Sequence, residues 1–173
     1  MRGSVDSWRI KSLLSFLFGV SRVSTPRFDF HRIESGAASG FDLGDMEVTG
    51  DDCVITSHGH APSQSMMIYV AISDLIFGVS RLCLQKSGTY RFVGADSSFS
   101  LAFVLSKNGK VVISARSSAE LKTDRVSILN ALRESTDRFL GTLSNELPTA
   151  DPVARDLGAA RKSLFEALSA LQT

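Results

Sequence analysis

The sequence has few cysteines, no strong excess of charge and no long apolar run, and each shortage excludes a class of protein. Two cysteines in 173 residues are too few for a disulfide-stabilised scaffold, and a chain of this length buries an adequate core without one. The near-equal numbers of basic and acidic residues, 19 and 18, argue against a dedicated nucleic-acid-binding protein, whose surface is usually strongly basic. No apolar run reaches the roughly 18 residues that a membrane span requires.

The composition is otherwise that of an ordinary globular domain, with 43% hydrophobic and 21% charged residues. Cys83 lies on the apolar stripe of a predicted helix, where a buried and unreactive thiol is the usual outcome. We therefore expect reduced, structural cysteines and a cytoplasmic protein, with a Cys53–Cys83 bridge as the alternative.

An amphipathic helix is predicted within residues 1–25. Apolar residues recur there at helical spacing: Ile10, Leu13, Leu14, Leu17 and Phe18. Residues 1–27 also carry six serines, five cations and one acid. An organelle transit peptide, a vector-derived Met-Arg-Gly-Ser start and a secretory signal are alternatives, although the last would lack its small-residue cleavage site. We favour a helix that packs on the domain.

Residues 26–146 are predicted to form one α+β domain. Alternation of apolar and polar residues predicts its strands: 27–33, 41–48, 52–57, 89–93, 98–106 and 111–115. Asn108-Gly109 predicts a type I′ turn in the last hairpin. The apolar run Met66–Ile72 fits either a strand or the start of a buried helix. Because Ser73 is a good helix N-cap, we expect a strand at 66–72 and a helix at 74–85.

Two helices are predicted in the last third of the chain. Asp124 can cap a helix that ends before Pro148, and Asp151-Pro152 starts a C-terminal helix within residues 151–173. We expect these helices to form an αα-hairpin packed on the same domain, with a dimerising C-terminal helix as the alternative. The predicted fold class is α+β: a mostly antiparallel sheet, helices packed on one face in two layers, and a C-terminal αα-hairpin.

Residues for catalysis or metal binding are scarce, since the chain has three histidines. His58 and His60 with Cys53 can be drawn as zinc ligands, but Gly59 indicates an exposed loop and no second ligand pair at the usual spacing follows. The patterns GxGxxG, GxSxG and GxxxxGK[ST] are absent. We therefore predict no enzyme activity, no cofactor and no metal, and an enzyme using His58 and His60 is the least favoured alternative.

Acidic residues concentrate between positions 29 and 57, where seven acids and one cation give a net charge of −6. Their spacing does not match a calcium-binding loop. Solvated turns explain the cluster without a function, whereas an acidic patch would attract a basic partner. The candidate partner-binding residues are Asp42, Asp45, Glu47, Asp51 and Asp52.

Four segments together resemble the small immunity proteins of bacterial toxin systems, over about residues 41–143. They are FDLGDMEVTGDDCVIT, MMIYVAISDLIFGVSRL, DSSFSLAFVLSKNGKVVISA and RVSILNALRESTDRFL. The resemblance is one of architecture, so it transfers no functional residue. It implies a cytoplasmic, non-enzymatic protein that binds and neutralises a partner toxin. We expect a monomer or homodimer, with a basic toxin domain as the candidate partner. The alternative is a structural or adaptor subunit that docks through its N-terminal or C-terminal helix.

Overall fold

The structure is a computed structural model that describes residues 24–51, 53–115 and 120–172. Within these residues, eight strands form two antiparallel sheets of four strands each, and three α-helices pack against them. The predicted α+β class is confirmed. The strands divide between two sheets that share one apolar core.

The first sheet is centred on its second strand. Its strands are β1 (Arg27–Arg32), β2 (Leu43–Gly50), β3 (Cys53–Thr56) and β4 (Met66–Met67). β1 pairs along one edge of β2, while β3 and β4 pair along the other. The predicted alternation in β1 is confirmed, because Phe28 and Phe30 are buried while Asp29 and His31 face away from the core.

The second sheet follows the order of its strands in the chain. They are β5 (Gly88–Val93), β6 (Ser100–Leu105), β7 (Lys110–Ser114) and β8 (Glu120–Asp124). Leu101, Phe103 and Leu105 of β6 are buried on one face, as predicted. Strand β8 was not predicted from the sequence; its charged residues flank buried Leu121 and Thr123.

The β6–β7 hairpin forms as predicted, but the predicted type I′ turn is wrong. Gly109 has a positive φ of 80°, whereas Asn108 does not. The backbone N–H of Ser106 donates to the carbonyl of Lys110 at 2.9 Å, so three residues, not two, connect the strands. The Asn108 carboxamide oxygen accepts hydrogen bonds from the Ser106 hydroxyl and the Lys110 N–H, which stabilises this wider turn.

The predicted strand at 66–72 is wrong, because helix α1 (Ile68–Cys83) occupies most of that segment. Only Met66 and Met67 are extended. Ser73 is not an N-cap: it lies inside the helix, and its hydroxyl donates to the Tyr69 carbonyl at 2.9 Å. The helix contacts both sheets and both later helices, so it is apolar on most of its circumference. A helix buried in this way shows the continuous apolar run that also marks a central strand.

Helices α2 (Arg125–Leu140) and α3 (Pro152–Gln172) begin where predicted. An Asp124 carboxylate oxygen accepts from the N–H of Ser127 at 2.9 Å, and Asp151 accepts from the N–H of Val153 at 2.8 Å. These bonds satisfy backbone donors of the first turn, as N-caps do. α3 packs against α2 and more extensively against α1.

The predicted N-terminal helix falls on residues 1–25, of which 1–23 lie outside the described part of the chain. Ser24 is buried, and its N–H donates to the carbonyl of Lys122 in β8. Among the helices that the structure describes, none is both long enough and apolar enough to cross a bilayer.

Candidate functional site on the first sheet

The outer face of the first sheet carries a shallow cavity of about 300 Å³. The pairing of β1 with β2 places Asp29 opposite Glu47 and His31 opposite Asp45, and Thr56 of β3 also lies opposite Glu47. We call this surface the acidic face. Its members are Asp29, His31, Asp45, Glu47, Thr56 and His58.

Asp45 is the most constrained carboxylate of the acidic face. It accepts hydrogen bonds from the hydroxyls of Ser57 at 2.8 Å and Ser65 at 3.1 Å, and its second oxygen lies 3.2 Å from Nδ1 of His58. Burial alone would raise the pKa of this carboxyl, but the hydrogen bonds outweigh burial and hold the pKa below its ordinary value. Asp45 therefore stays ionised and joins three chain segments, so it cannot serve as a general acid at neutral pH.

The two loop histidines differ in what they contact. His58 has 80% of its side chain exposed while it contacts Asp45. His60 lies with Nε2 3.0 Å from the carbonyl oxygen of Thr56. In the described ranges, no group of three or more His, Cys, Asp or Glu side chains is arranged to hold a metal ion.

Asp42, a candidate partner-binding residue, forms a nearly buried ion pair. Nε of Arg32 lies 2.6 Å from an Asp42 carboxylate oxygen, and only 4% and 14% of the two side chains are exposed. The same guanidinium donates to the carbonyls of Gly36, Ala37 and Ser144. Asp42 therefore helps to fix the loop after β1 and presents little surface to a partner.

The remaining candidates are dispersed around the β2–β3 hairpin. Glu47 is half-buried on the acidic face, whereas Asp51 is exposed at the turn, where its N–H donates to the Ser24 hydroxyl at 3.2 Å. Asp52 lies outside the described residues. Of the five candidates, the structure places Asp45 and Glu47 in the acidic face and Asp51 at the adjoining turn.

Asp29 lies on the acidic face but was not among the predicted partner-binding residues. Its carboxylate contacts Arg27 at 2.8 Å and Arg138 of α2 at 3.3 Å, and Arg138 also donates to the Phe28 carbonyl. The alternation in β1 is enough to put Asp29 on the outer face. Its pairing with α2 depends on tertiary packing that no local pattern encodes.

An apolar patch adjoins the acidic face at the end of β1. Ile33 and Leu43 are neighbours across the first two strands, since the N–H of Ile33 donates to the carbonyl of Leu43. Both are exposed, as is Phe41. Clustered exposed apolar side chains next to charged ones are typical of protein interaction surfaces.

A larger cavity, of about 540 Å³, lies between β1 and α2 and is lined by three arginines. Arg32 is engaged by Asp42, and both Arg27 and Arg138 are engaged by Asp29. Because each cation already has a carboxylate partner, this cavity is a weaker candidate for binding than the acidic face.

Comparisons with protein-family models, with curated proteins and with solved structures found no match to this chain. The resemblance to immunity proteins therefore stays a prediction.

Proposed function

We propose that this chain is a non-enzymatic binding protein whose acidic face and adjoining apolar patch bind a basic surface of a protein partner. The observation that carries the proposal is that exposed Ile33 and Leu43 continue, along β1 and β2, the outer sheet face that carries the carboxylates. Glu47 and Asp51 form no ion pair with other described residues, and Glu47 interacts with Arg27 only at longer range, so both carboxylates can pair with a cation of the partner. Such charges steer association and select complementary surfaces.

The more specific proposal is an immunity-like role, in which the chain neutralises a basic toxin domain in the cytoplasm. Its support is the architectural resemblance over about residues 41–143, together with the acidic and apolar composition of the proposed surface. Neutralisation by binding needs no catalytic group on this chain.

The test is quantitative affinity capture from a bacterial lysate with the wild-type chain and two variants. One variant reverses charge on the acidic surface, Glu47→Lys with Asp51→Lys. Asp42 and Asp45 are left intact because their carboxylates hold the fold together. The matched control reverses the same number of charges away from this surface, at exposed Glu120→Lys in β8 and exposed Asp156→Lys in α3.

We expect the wild type and the control to recover one basic protein in stoichiometric amount and the acidic-surface variant to lose it. Recovery of the same protein by all three chains would contradict the proposed surface. Recovery of no protein by the wild type would contradict the binding function.

A second candidate function is an adaptor subunit that docks through its C-terminal helix. The observation that favours it is Phe165 on α3, whose exposure reaches 67%.

A further inference from the structure

The open edge of β1 lies along the cavity of about 540 Å³ between β1 and α2. β1 pairs with β2 on its other edge and with no second strand in the described part of the chain. Phe30 and Arg32 of β1 line one side of the cavity. The other side is lined by Ser135, Phe139 and Thr142, in and near the end of α2. We call this space the β1–α2 groove.

The strand register shows which backbone groups of β1 face the groove. The N–H of Ile33 donates to the carbonyl of Leu43, which continues the register of β1 on β2. Hydrogen-bonded and non-bonded pairs alternate along an antiparallel pair of strands. Phe30 and Arg32 therefore direct their N–H and C=O groups away from β2. Among the described residues, none forms a hydrogen bond to these groups.

Phe30 combines unpaired backbone groups with a buried position. Its exposure is only 8%, and its ring lies 6.1 Å from that of Phe139, measured between centroids. Buried backbone groups are almost always bonded, and the carbonyl of neighbouring Phe28 does accept from Arg138. The arginines that line the groove already pair with carboxylates. The chemistry left for a ligand is therefore that of the strand edge.

We propose that the β1–α2 groove binds an extended segment of a protein partner, which adds to the first sheet as a further strand beside β1. In this mode of recognition the peptide backbone supplies affinity and alternate side chains supply specificity. β1 advances about 13 Å between Phe28 and Arg32, at about 3.3 Å per residue, so the groove accommodates about five residues.

The segment needs no charged side chain. Its successive side chains would point to opposite faces, one set towards Phe139 and the other beside Asp29 on the acidic face. The Asp29 carboxylate is already paired with Arg27 and Arg138. An added strand continues the outer face of the sheet, so the groove extends the interface for the same partner. In this respect alone the inference rests on the proposed function.

A partner segment fits the groove better than another part of this chain does. Residues 1–23 lead into Ser24, but their apolar residues recur at helical spacing. A helix bonds its own backbone groups internally and leaves none to pair with β1. A second copy presents its β1 edge beside its own α2, whereas a single extended segment needs no more room than the groove offers.

The test is NMR spectroscopy of the isotope-labelled full chain, titrated with a short uncharged peptide that alternates Val with Thr. Two further peptides carry N-methyl groups, one on every Val and the other on every Thr, so that each lacks the donors of one edge. The groove variant is Thr142→Trp, which fills the groove from an exposed position. The matched control is Thr149→Trp, which adds the same side chain at an exposed position outside the residues that line the groove.

Amide exchange tests the open edge before any peptide is added. The N–H groups of Phe30 and Arg32 should exchange with solvent about tenfold faster than those of Asp29 and His31, which pair with β2. Addition of the peptide should then slow the exchange of Phe30 and Arg32. Equal exchange of the two sets in the free chain would overturn the proposal, because the edge would already be bonded.

We expect saturable binding with a dissociation constant below about 1 mM, and about tenfold weaker binding of one N-methylated peptide than of the other. Thr142→Trp should weaken binding about tenfold and Thr149→Trp less than about twofold. No saturable binding, equal binding of the two N-methylated peptides, or equal loss in both variants would overturn the proposal.

The other occupants are distinguishable outcomes. Displacement of the bound peptide by a synthetic peptide of residues 1–23 at equal concentration would overturn the proposal in favour of the chain's own segment. Conversion of a dimer to a monomer by the peptide, measured by sedimentation, would overturn it in favour of a second copy. Glu47→Lys with Asp51→Lys should bind the uncharged peptide as the wild type does, so failure of the groove and failure of the acidic face are separable.

Discussion

The buried ion pair between Arg32 and Asp42 is predicted to contribute strongly to the stability of the fold, and one substitution tests this. In Asp42→Asn the shape of the side chain is kept while its charge is removed. The Arg32 guanidinium then stays buried, with three backbone carbonyls as its remaining acceptors. Through those carbonyls Arg32 holds the loop after β1 and the segment after α2. The substitution therefore weakens the attachment of both segments to β1.

The size of the effect follows from the burial of the pair. Removing one partner of a buried ion pair typically costs about 3–5 kcal/mol, because it leaves an uncompensated charge in the interior. The carbonyl acceptors still stabilise the guanidinium. We therefore expect Asp42→Asn to lower the free energy of unfolding by about 3 kcal/mol, near the bottom of that range.

Urea unfolding at neutral pH, followed by far-ultraviolet circular dichroism, measures this change. The matched control is Asp51→Asn, which removes the same charge from an exposed side chain and should change stability by less than about 0.5 kcal/mol. Replacing both partners, Arg32→Met with Asp42→Leu, should recover part of the loss since no charge is then left unpaired. A loss in Asp42→Asn no larger than that in Asp51→Asn would refute the reasoning.

Three further predictions follow from the described contacts. The pKa of Asp45 is lower in the folded chain than in the unfolded one, so Asp45 stabilises the fold above about pH 4 and this contribution is lost as the pH falls through the lowered pKa. Unfolding curves should therefore show the stability advantage of wild type over Asp45→Asn shrinking below about pH 4, and a constant advantage would contradict the hydrogen-bonded carboxylate. Thr136→Val should raise the free energy of unfolding by about 1 kcal/mol, since it removes a buried hydroxyl without a partner, whereas Ser135→Ala should lower it by breaking a hydrogen bond from Arg138; equal effects would contradict this assignment. Burial raises the pKa of Cys83 to about 12, so a thiol reagent at pH 8 should modify half-buried Cys53 first and Cys83 only on unfolding, and rapid labelling of Cys83 in the folded chain would contradict its burial.

Local periodicity was sufficient to predict most of the fold. The alternation in β1 and β6 places large apolar side chains on one face, which identifies a strand with one buried side. Asp124 and Asp151 mark helix starts because their side chains bond to nearby backbone N–H groups. Both signals are contained within a few consecutive residues.

The sequence-based predictions were wrong where tertiary contacts determine the local structure. Helix α1 is enclosed on several sides, so its first turns lack the polar face that distinguishes a surface helix. The turn at Asn108 depends on side-chain hydrogen bonds to Ser106 and Lys110 that compete with a type I′ geometry. Composition alone could not distinguish helix α1 from a central strand. Nor could it distinguish the three-residue turn at Asn108 from a two-residue hairpin turn.

The candidate site was likewise predictable in part: its acidic composition was evident in the sequence, but the contacts of each acid were not. The concentration of acids near β2 is visible in the sequence, but their roles differ according to what lies opposite. Asp42 meets Arg32, and Asp45 meets two hydroxyls and His58, whereas Glu47 has no partner of opposite charge among the described ion pairs. Strand register and loop packing set these differences, so they could not be predicted from residue counts.

The central claim is that the acidic face binds a basic partner. Its most direct test is the association rate constant between the purified chain and the captured partner, measured by stopped-flow fluorescence at low and moderate salt. We predict that Glu47→Lys with Asp51→Lys slows association at low salt by about tenfold and flattens its salt dependence, because electrostatic steering is lost. Rates and salt dependence equal to those of the wild type would contradict the claim.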